Sequence, residues 1–220
     1  MPIYKTVNKD FFKTWSPEMA YVLGFFAADG NISVNKRGAH FFSLQITDKK
    51  IVYLFRELLS SDHRIGKKVG DKNHKSQYRL QIGSREMCDD LRKLGVKEQK
   101  TYTMALPNVP KRFLFDFVRG YFDGDGNVWV GQMNKKRKTK QMVIETMFTS
   151  CSKDFLLGLK GRLEGYGIRG SITCKKRYFR LYYSIQGSLE LYRLMYHKEI
   201  KNLYLLRKKV TFEKFIKLRA

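Results

Sequence analysis

The chain has few cysteines, few acidic residues and no long apolar run. Cys88, Cys151 and Cys174 are scattered, with no CxxC pair. An odd, dispersed set argues against a disulfide framework or a zinc site and predicts reduced core thiols in an intracellular compartment, whether cytoplasm, nucleoid or organelle. No apolar stretch approaches the roughly 20 residues of a membrane span. The first fifteen residues lack the apolar core of a secretion signal, so we expect neither secretion nor a membrane partner.

Several common active-site patterns are also missing. The four histidines show no metal-ligand spacing, and no Ser-His-Asp arrangement, phosphate-binding loop or nucleotide-binding glycine pattern is present. Basic residues are abundant instead: 44 Lys and Arg against 20 Asp and Glu give a formal net charge of +24. Self-repulsion of this size opposes folding, and a polyanion would relieve it. Nucleic acid is therefore the first candidate partner. An anionic membrane surface is second, and no strongly amphipathic basic helix supports it.

The chain contains an internal repeat. The stretch 21-YVLGFFAADGNISV-34 aligns with 117-FVRGYFDGDGNVWV-130 at a constant offset of 96 residues. An offset close to half the chain length indicates duplication of one structural unit. Each motif follows a helix-start signal, Ser16-Pro17 in the first copy and Pro110 in the second, and each helix is predicted to stop at the glycine of its Asp-Gly pair.

Each unit is predicted to have the element order α-β-β-α-β-β-α, an α+β fold. The predicted strands cover residues 31–36, 40–47, 66–72, 76–83, 127–133, 141–150, 170–176 and 178–186. Besides the two motif helices, the predicted helices cover residues 48–61, 85–95, 153–167, 188–197 and 205–217. We expect residues 1–103 to form the first unit, 104–112 the linker and 113–220 the second unit.

Small residues recur four positions apart in both motif helices. Gly24 and Ala28 share one helix face, as do Gly120 and Gly124. Two such faces would pack closely and bring the ends of the helices together, and with them Asp29 and Asp125. Two nearby carboxylates repel each other, and a divalent cation with hard oxygen ligands, above all Mg²⁺, would relieve the repulsion. In a basic protein, this pair predicts metal-assisted phosphodiester hydrolysis.

The two motifs resemble the paired motifs of the LAGLIDADG homing endonucleases, in the single-chain form that carries both. The resemblance implies two pseudo-symmetric units, with the motif helices packed at the centre and the antiparallel sheets forming a DNA-binding saddle. It also implies metal binding by the carboxylates of Asp29 and Asp125 and by the backbone carbonyls of Ala28 and Gly124. The first motif departs from the usual pattern at Ala27, where the second has Asp123. That position is not a metal ligand in the family, so we expect Asp123 to be structural.

The resemblance further implies a basic residue in each unit that stabilises charge near the scissile phosphate. Lys100 and Lys208 match this position, with Lys209 as a rival of Lys208. By the same alignment, Asp48 and Ser152 would hold water in the active site. The run at 134–141, rich in Lys and Arg, would be a loop that contacts DNA, and a nuclear-import signal is its other interpretation.

Polar side chains alternate with apolar ones along the predicted strands, and in a basic protein this polar face is suited to reading base edges. The alternation is ambiguous at 178–187. The candidate DNA contacts are Ser33, Asn35, Lys36, Arg37, Ser43, Gln45, Gln77, Arg79, Gln81, Lys135, Lys136, Arg137, Lys138, Lys175 and Arg180.

The sequence and the resemblance together predict a monomeric, site-specific, double-stranded DNA endonuclease that leaves 3′ overhangs at a long, asymmetric target. Mg²⁺ is the expected metal; Mn²⁺ is expected to substitute, and Ca²⁺ to support binding without cleavage. Two alternatives have the same fold: an intron RNA maturase, for which intron RNA is the partner, and a DNA-binding regulator that does not cleave.

Overall fold

The computed structural model describes residues 5–133, 141–197 and 203–219. Two units follow each other along the chain, each with a motif helix, a four-stranded antiparallel sheet and further helices. The first unit contains α1 (Pro17–Asp29), β1 (Gly30–Val34), β2 (His40–Ile46), α2 (Lys49–Leu58), β3 (Gly66–Lys68), β4 (Gln77–Gly83) and α3 (Arg85–Lys93). The second contains α4 (Leu114–Asp125), β5 (Gly126–Met133), β6 (Gln141–Ser150), α5 (Lys153–Glu164), β7 (Ser171–Cys174), β8 (Phe179–Tyr183), α6 (Ile185–Met195) and α7 (Leu206–Lys217).

The two sheets have the same topology. Their strand orders are β1-β2-β4-β3 and β5-β6-β8-β7, and every neighbouring pair is antiparallel. This agrees with the predicted α+β fold of two pseudo-symmetric units. Within the described ranges, no helix is long and apolar enough to cross a bilayer.

The motif helices pack against each other through their glycines. A Cβ at Gly24 would lie 2.0 Å from the Phe117 carbonyl oxygen, and one at Gly120 would lie 2.0 Å from that of Tyr21. Only glycine permits backbones to approach this closely. The predicted glycine-mediated contact between α1 and α4 is confirmed.

Both motif helices end for a different reason from the one predicted. Gly30 and Gly126 have extended backbones, with φ of −77° and −90°, rather than the left-handed conformation of a glycine helix cap. A Cβ at Gly30 would collide with the Phe26 ring, and one at Gly126 with the Phe122 ring. Glycine is required here because the chain enters a strand directly over a buried aromatic ring.

The two helix starts differ from each other. The Ser16 hydroxyl accepts a hydrogen bond from the Met19 amide at 3.1 Å, and Pro17 opens α1 as predicted. In the second unit, Pro110 precedes a 3₁₀ turn at Lys111–Phe113, and α4 begins only at Leu114.

Three strands are shorter than predicted by three or more residues: β3 ends at Lys68, β7 at Cys174 and β8 at Tyr183. After β3, the Asp71 carboxylate accepts backbone amides of Asn73 and His74, which fixes a turn instead of a ladder. After β8, Ser188 donates its hydroxyl to the Tyr183 carbonyl, and α6 has already begun at Ile185.

The cysteines are free, but they do not all lie in the core. Cys88 is buried, Cys151 is half-buried and Cys174 is exposed. The expectation of core thiols is therefore wrong for Cys174, which lies at the exposed end of the short strand β7.

Candidate metal and nucleic-acid site

The two motif carboxylates lie together at the ends of the central helices. Asp29 is the last residue of α1, and Asp125 is the last residue of α4. A Cβ at Gly124 would lie 2.4 Å from the Ala28 Cβ and 3.3 Å from the Asp29 Oδ2. Gly124 therefore packs against the Ala28 side chain with the Asp29 carboxylate beside it, and both carboxylates reach solvent.

The electrostatics show that this pair is under repulsion. Burial and the neighbouring Asp29 carboxylate together raise the pKa of Asp125 to about 6, while Lys100 and Lys208 oppose the shift. The pKa of Asp29 is also raised, chiefly by partial burial, and is opposed by the same two lysines. The lysines therefore offset the repulsion only in part, which leaves a site that favours an added cation.

Lys100 lies directly beside the carboxylates. Its Nζ donates to the Ala28 carbonyl oxygen at 3.1 Å. Burial lowers the pKa of this amine, and the nearby charges of Asp125 and Asp29 oppose that effect. The preceding residue, Gln99, has a φ of +51°, a left-handed backbone that non-glycine residues seldom adopt. This turn directs Lys100 toward the end of α1, and no pattern in the sequence predicts it.

Lys208 enters the site from α7. Its Nζ donates to the carbonyl oxygens of Asp123 at 2.9 Å and Gly126 at 2.7 Å, and also to that of Phe122. Burial lowers the pKa of Lys208 to about 8, with Asp123, Asp29 and Asp125 acting in the opposite direction. Lys208 thus binds the carbonyl end of α4, where a cation is favoured by the helix dipole.

The rival lysine faces elsewhere. Lys209 lies over the Tyr204 ring, with its Nζ 4.6 Å from the ring centre, and 3.8 Å from a Glu213 carboxylate oxygen. Of the two candidates in α7, only Lys208 hydrogen-bonds to the end of α4.

Asp123 joins both motif helices to the segment before α7. Its Oδ2 accepts the Tyr21 hydroxyl at 2.9 Å and the Leu205 amide at 2.8 Å. The side chain is 2% exposed, and burial raises its pKa to about 6. These contacts give Asp123 the structural role expected of it.

The residues matched to water-holding positions are both helix caps. Asp48 accepts the backbone amides of Lys50 and Ile51. The Ser152 hydroxyl is buried, accepts the Phe155 amide and donates to the Met104 carbonyl at 2.6 Å. The structure thus gives Ser152 two protein partners, and the loose alignment that matched it to active-site water gains no support.

One face of the first sheet carries six of the fifteen predicted DNA contacts. The register places Ser33, Ser43, Gln45, Gln77, Arg79 and Gln81 on the face opposite the core. Gln45 donates to Gln77 at 2.6 Å, and Arg79 is exposed. Ser43 is 6% exposed and donates to the Asn31 carbonyl at 3.4 Å, so its hydroxyl is less accessible than the prediction requires.

The turn after β1 holds three more of these candidates. Asn35, Lys36 and Arg37 are exposed. The Asn35 side-chain oxygen accepts the amides of Arg37 and Ala39, so Asn35 shapes the turn that presents the two basic residues. Lys135, Lys136, Arg137 and Lys138 lie outside the described residues.

The second sheet resolves the ambiguous register at 178–187. Arg180 is the cross-strand partner of Thr149. This pair corresponds to Arg79 and Gln45 in the first sheet. Its guanidinium group donates to the Tyr182 hydroxyl at 3.3 Å and lies 5.0 Å from the centre of the Tyr178 ring. Lys175 is exposed just after β7.

Among the residues that the structure describes, no third acidic side chain joins the two carboxylates to form a metal-binding group. Within the described residues, no group of three or more His, Cys, Asp or Glu side chains is placed to hold a metal ion. A cation held by Asp29 and Asp125 would need carbonyl, water or phosphate oxygens to complete its coordination, as Mg²⁺ commonly does.

Comparisons with known proteins agree with this arrangement. A family model described as the LAGLIDADG-like domain matches residues 16–95 and 112–207. The uncharacterized protein MJ0398 of Methanocaldococcus jannaschii is 26% identical over 136 residues, which cover 56% of this chain and 46% of that protein. The chain therefore matches less than half the length of this relative.

Solved structures share the fold at low sequence identity. The I-SmaMI LAGLIDADG homing endonuclease bound to cleaved DNA has a TM-score of 0.60 at 14% identity, covering 93% of this chain and 89% of that one. The LAGLIDADG meganuclease I-AabMI bound to uncleaved DNA has a TM-score of 0.61 at 15% identity, covering 93% and 92%. Because the family model matches both motifs and most of the chain, this protein belongs to the LAGLIDADG family.

Proposed function

We propose that this protein is a site-specific endonuclease of double-stranded DNA that uses a divalent metal and leaves 3′ overhangs. The observation that carries the proposal is the solvent-reaching pair Asp29 and Asp125, which meets at the junction of two matching units. Lys100 and Lys208 contact the same helix ends. A protein that only bound DNA would have no evident need for a repelling carboxylate pair beside phosphate.

The donor set suits Mg²⁺. Asp29 and Asp125 would supply hard carboxylate oxygens, and their raised pKa values show that the site favours neutralisation. The Gly124 carbonyl would add a backbone ligand, and the Ala28 carbonyl would do so once Lys100 moved away. When bound, the metal supplies Lewis acidity and a more acidic water for hydrolysis of the phosphodiester. Mn²⁺ has similar ligand preferences, so we expect it to substitute.

The chain's own residues bind and orient the substrate. The outer faces of the two sheets would bind DNA on either side of the carboxylates, with Gln and Arg side chains of the first sheet reading base edges. Exposed basic residues such as Lys36, Arg37 and Lys175 would contact phosphates, which raises affinity without specifying sequence. Lys100 and Lys208 would place positive charge beside the reacting phosphates, one per strand.

The likeness to solved structures supports this assignment. One neighbour is I-SmaMI bound to an uncleaved DNA target in the presence of calcium ions, with a TM-score of 0.60 and 13% identity. By that precedent, we propose that Ca²⁺ supports DNA binding by this chain without cleavage. Both units lie in one chain, so a monomer would cover a long, asymmetric target.

A randomised duplex library tests the proposal. The purified protein is incubated with the library in Mg²⁺ or in Ca²⁺, and the broken ends are sequenced. We expect one long motif, cut only in Mg²⁺, with 3′ overhangs. Selective retention of one duplex without cleavage in either metal would instead identify a DNA-binding regulator. If the protein neither cleaves nor selects any duplex, the endonuclease proposal is contradicted. The intron RNA of a host then becomes the next substrate to test.

A further inference from the structure

The outer faces of the two sheets differ in chemistry although their registers match. In the first sheet, the row adjacent to the carboxylates pairs Ser43 with Gln81. The matching row of the second sheet pairs Met147 with Tyr182. Both rows also hold a matching asparagine, Asn31 or Asn127, so the difference is that a hydroxyl and an amide in the first sheet correspond to a thioether and an aromatic ring in the second.

The difference continues along the strand that follows each motif. Trp129 occupies the position of Ser33, and its side chain is 44% exposed. The indole lies over Gly131, where a Cβ would come within 2.2 Å of an indole ring carbon. Met133, further along the same face, is 54% exposed. The outer face of the second sheet therefore carries three large apolar or aromatic side chains, Tyr182, Met147 and Trp129. They are interrupted by Glu145, the direct cross-strand partner of Trp129.

We propose that the second unit recognises its half of the target through thymine methyl groups, whereas the first unit reads its half through hydrogen bonds. This inference rests on the proposed function. The thymine methyl is the one apolar group that the base pairs present in the major groove. Met147 offers only a weak acceptor, and the indole of Trp129 offers a single donor, so neither side chain can reproduce the bidentate contacts available to Gln81 or Arg79.

The charges of this face are mostly positive, with Glu145 beside Trp129 as the one acidic side chain among its strand residues, and they favour DNA over a protein as its occupant. Arg180 occupies the position of Arg79, and Lys175 is exposed at the end of the neighbouring strand. The second unit as a whole is basic, with 23 Lys and Arg against 9 Asp and Glu in residues 113–220. Apolar side chains flanked by Arg180 and Lys175 match a duplex with thymine methyls in its groove and phosphates along its edges.

Deoxyuridine substitution tests the inference on the target selected from the library. Uracil removes the methyl and leaves the base-pairing edge unchanged. In Ca²⁺, we expect about a four-fold loss of binding for each contacted thymine in the second unit's half. The same substitutions in the first unit's half should have little effect. An iron chelate attached to the exposed Cys174, in a Cys151→Ala background, identifies which half lies under the second unit, because Cys88 is buried.

Exchange variants provide the matched control. Trp129→Ser and Tyr182→Gln introduce the residues found at Ser33 and Gln81 of the first sheet. In both variants, uracil substitution should no longer weaken binding, and the thermal midpoint should stay close to that of the parent. Two results would overturn the inference and leave the endonuclease proposal intact. One is that uracil substitution does not weaken binding of the selected target; the other is that the half under the second unit has no thymine next to the cut. Failure to select any duplex would overturn both.

Discussion

The most direct physical consequence of the carboxylate pair is that it should cost stability when no metal is bound. Asp125→Asn removes one of the two charges and retains the size of the side chain. Because the pKa of Asp125 rises from 3.8 in the unfolded chain to about 6 in the fold, ionisation disfavours folding. The variant should therefore be more stable than the parent at neutral pH.

The size of the effect follows from the shift. A rise of roughly two pKa units corresponds to about 3 kcal/mol for a fully buried group. The Asp125 side chain is exposed to solvent, so screening reduces this to about 1 kcal/mol. For a chain of this size, we expect the thermal midpoint to rise by about 2–4 °C.

The pH dependence has a defined sign. The unfolded carboxylate ionises near pH 3.8 and the folded one near pH 6, so the cost is absent below pH 3.8 and complete above pH 6. At pH 5, the gain from Asp125→Asn should be about half of its value at pH 7.5. Thermal unfolding in EDTA at both pH values measures this difference.

The control is an exposed carboxylate in a favourable position. Asp154 lies in the first turn of α5, where the helix dipole favours negative charge, so Asp154→Asn should lower the midpoint slightly. Adding Ca²⁺ should raise the midpoint of the parent and have less effect on Asp125→Asn, because a ligand stabilises only the state that binds it. A variant less stable than the parent at pH 7.5 would refute the reasoning that the pair is repulsive.

Three further predictions follow from particular contacts. Gly24→Ala should destabilise the fold by about 3 kcal/mol or more, because the new Cβ would meet the Phe117 carbonyl. Gly161→Ala is the control and should not destabilise the fold, because a Cβ there has open space; urea unfolding measures both variants. Lys208→Met should lower both the thermal midpoint and the cleavage rate, since it removes three hydrogen bonds to the end of α4, whereas Lys209→Met should leave cleavage nearly unchanged. Ca²⁺ affinity, measured by calorimetry, should fall about ten-fold per pH unit below pH 6, because protons compete for Asp125, and should be nearly constant above pH 7.

Much of the fold could be predicted from the repeat. Two glycines at matching positions, each four residues before another small residue, required two helices in backbone contact, and the structure places Gly24 against Phe117 and Gly120 against Tyr21. The alternation along β2 and β4 correctly assigned the polar face of the first sheet. Both signals are local periodicities that survive in the tertiary structure.

The features that sequence reasoning missed depend on tertiary contacts. Arg119 replaces the Leu23 of the first motif, yet it is buried, because it donates to Asp116 and to the carbonyls of Met195 and Leu203. The left-handed Gln99 has no composition signal. The apolar outer face of the second sheet was hidden because apolar residues occupy both faces of β8, so alternation alone could not set its register.

Strand-resolved cleavage of the selected target is the measurement that tests the central claim most directly. The parent, Asp29→Asn and Asp125→Asn are compared in Mg²⁺, and their binding of the same duplex is measured in Ca²⁺. We predict that the parent cuts both strands, and that each variant loses double-strand cleavage by at least about a hundred-fold while still binding the target. Normal double-strand cleavage by either variant would contradict the assignment of Asp29 and Asp125 as the metal-binding pair.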